Sequence, residues 1–132
     1  DLDGLAIRYA SASPDQEKLQ AEVTEILEKE CAAAKAADVQ TWNRYSDEFH
    51  LVFYRYCTNS RLAESAERLR SGISIFSNQY CRETVIQTRI DEEHLAIFQA
   101  YKDGDIEKAV QMMKTHLNDS LNYALRFLPK TF

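Results

Sequence analysis

The chain carries three histidines, and each falls on the apolar stripe of a helix. His50 shares its stripe with Trp42, Ser46, Phe49, Phe53 and Cys57. His94 lies with Ile86, Ile90, Ile97, Phe98 and Tyr101, and His116 with Ala109, Met112, Met113, Leu117, Ser120 and Ala124. Three neutral imidazoles around one point, with a fourth position open, are a standard way to hold Zn²⁺ or a similar divalent ion. A single histidine in such a place is more often a core residue satisfied by a hydrogen bond. Two of these three must meet, however. His94 lies ten residues before Gly104 and His116 twelve after it, so an antiparallel hairpin about that turn leaves the rings offset by about 1.5–3 Å along the axis. Carboxylates stand three residues before two of the histidines, in Asp47-Glu48-Phe49-His50 and Asp91-Glu92-Glu93-His94. Asp47 or Asp91 can therefore ligate an ion, orient a ring, or remain a solvated acid on the helix flank.

The elements that position these residues are all helical. Gly and Pro are absent from 15–57, and apolar spacing draws six helices. The first covers about 1–10, with Leu2, Leu5, Ala6 and Tyr9 on one side. The second runs about 14–36, with Ser13 as its cap and Pro14 in its first turn. The third, about 38–57, is capped by Asp38. Asn59 caps a fourth that passes through Leu62, Ala66, Leu69, Ile73 and Phe76, while helices two and four show no clear inward Glu. The fifth covers about 83–102, and the sixth follows Asp103-Gly104-Asp105 to about 127. Short connections make neighbours antiparallel, so the expected fold is an all-α antiparallel bundle of six to seven helices.

With 132 residues the chain fits one domain, 1–132, able to bury roughly two-thirds of its unfolded surface. Sixteen Lys and Arg are scattered among 21 Asp and Glu, for a net charge of −5. The chain alone lacks the basic footprint that duplex binding requires. Cys31, Cys57 and Cys81 are odd in number and widely spaced, and read as small buried hydrophobes in a reducing cytosol. No apolar run approaches the roughly 20 residues of a membrane span, and a cytoplasmic location is expected. The chain starts at Asp1 inside a helical pattern, which predicts a preceding segment.

An ordered set of residues resembles the FCD domain, the carboxy-terminal sensor of FadR-like GntR transcription regulators. Leu2 to Ala10 resembles the opening Leu-Glu-x-x-Ala helix, with Asp3 where Glu is usual. Phe49-His50, then Asn59 and Leu62, resemble Phe-His followed by Gly-Asn-x-x-Leu, with Thr58 in place of Gly. Glu93-His94, Ile97, Ala100, Gly104-Asp105, Ala109, Met113 and His116-Leu117 keep the family's order and spacing throughout.

This resemblance implies an effector-binding and dimerisation domain whose amino-terminal winged-helix DNA-binding domain lies outside the chain. Metal-binding members place an Asp or Asn four residues before the first histidine, and that position here is Ser46. Three outcomes stay open: a three-histidine site completed by water or effector, a transfer of the acidic role to Asp47, or weakened metal binding. The first is preferred, because Asp47 lies about 100° round the helix from Ser46. The resemblance implies Zn²⁺ ahead of Ni²⁺ or Mn²⁺, a small carboxylate or hydroxy-acid effector, a homodimer, and DNA contact only through the missing domain. Relatives often carry a carboxylate-clamping Arg about three residues before the first Leu, which here precedes residue 1. Ser46, Gln87 and Tyr123 are weaker candidates for effector contact, the last two standing two turns from His94 and His116 on the same faces. No catalytic residue is assigned, and an enzyme is not expected. The alternatives are a metal-free sensor of the same kind and, behind it, a di-metal carboxylate bundle enzyme built on the two Asp-x-x-His pairs.

Overall fold

The computed structural model describes residues 2–57 and 59–126, with the backbone alone for 71–80. Among the described residues there are six helices and no strand: α1 (Leu2–Ser11), α2 (Gln16–Lys35), α3 (Val39–Arg55), α4 (Ser60–Tyr80), α5 (Thr84–Lys102) and α6 (Ile106–Leu125). They form an all-α bundle in which α2 packs on α3 and α5, α5 on α6, and α1 across α3 and α6. α4 lies mainly against α3.

The hairpins α2–α3 and α5–α6 turn in the same way. A residue in the left-handed region, Ala37 at φ 56 or Gly104 at φ 80, ends the first helix of each. The next N–H returns to a carbonyl five residues back, Asp38 to Ala33 and Asp105 to Ala100. That same aspartate then caps the following helix, Asp38 accepting from the Thr41 N–H and Asp105 from the Lys108 N–H. Gly104 accepts this conformation without Cβ strain, whereas Ala37 bears it.

Most helix bounds match the sequence spacing, and α2 is an exception. Its N-cap is Asp15, so Ser13 and Pro14 stand before the helix, where the Ser13 hydroxyl accepts from the Asp15 N–H. Asn59 does cap α4, accepting from the Leu62 N–H. On α1 the inward face is not the expected one. Asp3, Ala6, Ile7 and Ala10 are buried, while Leu2, Leu5 and Tyr9 are exposed. An acid displaces leucine from the inner stripe because the interior holds polar partners for it, described below. On α4 Leu69 is exposed rather than inward, and Ile73 and Phe76 fall outside the described side chains. The three cysteines are free and half-buried, not fully buried as expected.

The main core joins Ile7, Leu19, Val23, Phe49, Val52, Phe53, Ile97, Phe98 and Met113. A smaller cluster gathers Ala33, Ala34, Trp42 and Ile90. No helix among the described residues is long and apolar enough to cross a membrane.

Candidate metal centre

His50 from α3, His94 from α5 and His116 from α6 converge in the interior, each offering a nitrogen within 4.8 Å of the others. All three are at most 5% exposed. The α5–α6 hairpin sets His94 Nε2 3.1 Å from His116 Nε2, as the turn arithmetic requires. Phe49 stacks on the His94 ring at 4.2 Å between centroids and fixes its plane. His50 completes the group, its ring 5.1 Å from that of His94 and 5.4 Å from that of His116.

Each imidazole is held at Nδ1 by a carboxylate. Asp3 of α1 lies 2.9 Å from His50 Nδ1 and also accepts the Tyr54 hydroxyl. Glu30 of α2 lies 2.9 Å from His94 Nδ1, and Glu93 of α5 lies 2.7 Å from His116 Nδ1. With Nδ1 occupied, Nε2 is the nitrogen each ring has left to offer. Carboxylate at one ring nitrogen and ion at the other is the arrangement that orients metal-ligating histidines. The separation of 3.1 Å between two Nε2 atoms is close to the about 3.3 Å expected for two nitrogens on one tetrahedral Zn²⁺. The residues present therefore fit a divalent ion held by three imidazoles.

Burial governs the protonation of this group. It carries His94 down to about 3, His50 well below its usual value, and His116 downward as well, so all three rings are neutral near pH 7. Glu30 is fully buried and pushed up to about 7. Its neighbour Asp91 is pushed up to about 8, first by burial and then by the hydrogen bond with Glu30. The two acids share a proton to around neutrality, and the Trp42 indole N–H donates to Asp91 at 2.9 Å. Burial alone would raise Glu93 too, but the bond from His116 leaves it lowered. An ion would bind the Nε2 lone pairs, so its uptake requires the neutral rings that burial favours.

Two of the imidazoles, His50 and His116, open onto a cavity of ≈ 410 Å³, whose walls also include Ser46, Asp47, Trp42 and Arg70, while His94 lies behind them. Ile90 and Leu117 add apolar surface, and the exposed Leu69 and Leu121 stand at its rim. A larger groove of ≈ 560 Å³ beside α3, lined by Asn43, Arg44 and Arg82, includes none of the histidines.

Sequence spacing thus finds all three imidazoles but not their supports. Asp91, left open as a ligand, a ring-orienting acid or a solvated flank residue, is instead buried and reaches Trp42 and Glu30. The inward Glu that α2 was expected to lack is Glu30. It continues the stripe Val23, Ile26, Leu27 at helical spacing, and that was the available signal. Ser46 lines the cavity and hydrogen-bonds Glu30, and Asp47 lines it facing Arg70. Gln87 and Tyr123 are not among the lining residues. Gln87 is buried and donates to the Cys81 carbonyl, while Tyr123 lies under Arg89.

The helical bundle thus sets a buried three-imidazole cluster beside a mostly apolar cavity. The FCD domain model matches residues 1–119, and the chain belongs to that family. FCD domains are the regulatory sensor domains of GntR-type transcription regulators. No curated protein and no solved structure gives a significant match.

Proposed function

We propose that the protein is the effector-binding domain of a cytoplasmic GntR-type regulator, sensing a small organic acid at a divalent ion held by His50, His94 and His116. One observation carries this reading: three neutral imidazoles, each oriented by its own carboxylate, present their free nitrogens to one point beside a cavity. Zn²⁺ suits a set of nitrogen ligands with an open position, and Ni²⁺ or Mn²⁺ are the next choices. A bound ion gives a carboxylate or hydroxy-acid an oxygen-accepting partner in a pocket whose apolar walls select shape. Ser46 leaves the fourth position without an anionic side chain, so water or effector fills it. Domain, homodimer and winged-helix partner would form one switch. The effector acts by binding one arrangement of the dimer more tightly than another.

The test is elemental analysis of protein purified without chelator, followed by melting curves with Zn²⁺, Ni²⁺ and Mn²⁺, alone and with organic acids. One ion per chain is expected, with a raised melting temperature that His94→Ala or His116→Ala abolishes. Protein that holds no ion and gains nothing from any of the three refutes the metal half and leaves a metal-free sensor. Two ions per chain would instead point to a di-metal enzyme.

A further inference from the structure

His116 stands between two separate spaces. On α6, Leu117, Ser120 and Ala124 lie within about 100° of it on one flank and line the cavity. Met112, Thr115 and Asp119 lie within about 100° on the opposite flank and line a groove of ≈ 440 Å³ between α5 and α6. Among the described residues, His116 is the only one in both walls. Glu93, 2.7 Å from His116 Nδ1, belongs to the groove wall. Its side chain is 27% exposed, whereas Asp3 and Glu30, which hold the other two rings, are 9% and 0% exposed. One support of the centre therefore meets water, and it does so away from the cavity. Charge distinguishes the two sides as well. A cation crossing the cavity has to pass the Arg70 guanidinium, nearly buried with Asp47 3.9 Å away. The groove wall sets Glu92, Glu93 and Asp119 against Arg89 and Lys108, a surplus of negative charge that draws cations.

We propose that Glu93 and the α5–α6 groove form the entry and exit port of the three-histidine centre: Glu93 takes a divalent ion first, and His116 swings to it and carries it inward. The inference rests on the metal reading above and deepens it. His116 Nδ1 occupies one Glu93 oxygen, which leaves the other to meet a hydrated ion in the groove. His116 then gives up its bond to Glu93, turns a nitrogen to the ion in the groove, and returns to face His50 and His94. Glu93 recovers Nδ1 at the end of that movement, so the same bond that orients the ring also closes the port. Exchange by this path leaves the cavity free to stay occupied.

Stopped-flow Zn²⁺ uptake by the full chain, and Zn²⁺ release to excess chelator, test this. A plug in a port slows entry and exit alike and leaves affinity unchanged, because it acts on the barrier and not on the end states. Thr115→Trp and Ala96→Phe should each slow both rates about ten-fold at equal Zn²⁺ affinity, whereas Leu121→Trp at the cavity rim should leave both within about two-fold. Thr115 is exposed, so its variant should fold even if Ala96→Phe does not. Glu93→Gln keeps an acceptor for His116 Nδ1 and loses the charge, and uptake should slow about ten-fold or more. A carboxylate that only orients the ring would instead leave uptake unchanged and speed release. Groove plugs without effect on either rate, a Leu121→Trp that slows both as much as they do, or unchanged uptake in Glu93→Gln overturn the inference while the metal reading stands. A wild type that takes up no ion refutes the metal reading, and the port with it.

Discussion

Glu30→Gln separates the two tasks of the buried acid pair. In the ion-free protein Glu30 and Asp91 are raised to about 7 and about 8, mainly by burial. A carboxyl raised in the folded state keeps its proton where the unfolded chain has lost it, so it stabilises at low pH and that contribution is lost as pH rises through the folded value. Between pH 6.5 and 8 the unfolded histidines, about half protonated at the start, lose their remaining charge, a contribution common to variant and wild type, while the pair is giving up its shared proton. One proton over that span amounts to about 2 kcal/mol. With Gln at 30 the amide donates to Asp91 and no proton is needed, so this alkaline decline should flatten. Glu30 also orients His94, and removing such a support typically weakens metal binding about 10- to 100-fold. Urea unfolding of chelated protein from pH 6.5 to 8 reads the first effect, and Zn²⁺ competition against a chromophoric chelator reads the second. A variant with the wild-type decline and Zn²⁺ affinity within two-fold would refute both the shared proton and the role of Glu30.

Ser46→Asp restores an acidic side chain where metal-binding relatives are expected to have one. It should tighten Zn²⁺ binding by about ten-fold or more, measured by chelator competition, and lower the stability of chelated protein, because a third carboxyl joins Glu30 and Asp91. On the acid side, lowered His50, His94 and His116 give stability that is present above pH 6.5 and lost as pH falls toward the folded value of His94, about 3. Melting curves of chelated protein should decline below pH 6.5, and a flat profile down to pH 4 would contradict neutral burial of the rings. At the matched turns, Gly104→Ala should cost about 1 kcal/mol and Ala37→Gly should gain a similar amount, read by urea unfolding.

Register made the histidine pair legible in sequence. Gly104 sets the hairpin and the rise per residue sets the heights, so two residues 22 apart could be placed by arithmetic. His50 followed from its stripe. The carboxylates did not, because Asp3 and Glu30 come from helices 47 and 64 residues away from the rings they hold. Periodicity reports that a residue faces inward but not what it meets there. Both acids continued apolar stripes, where an inward acid is itself the sign of a buried partner. Arg70 gave no such sign, since it follows the exposed Leu69 on a helix whose inner face was drawn through apolar residues alone.

The bond between Asp3 and His50 gives the centre a lever arm. α1 is the first helix of the chain, and its only buried acid grips a ring that would hold the ion. The other two carboxylates tie α2 to α5 and α5 to α6. A shift of His50 by even a fraction of an ångström therefore pulls on the helix through which any amino-terminal domain would be attached. Packed interfaces respond to such pulls by moving as rigid bodies rather than by stretching. In a regulator built this way the Asp3 carboxylate would be one route of transmission, beside the packing of α1 on α3 and α6 and the Arg8–Glu107 pair. Asp3→Asn should then weaken Zn²⁺ binding about 10- to 100-fold, as the loss of Glu30 should, and with the site saturated should still weaken the effect of ligand on DNA in a full-length regulator.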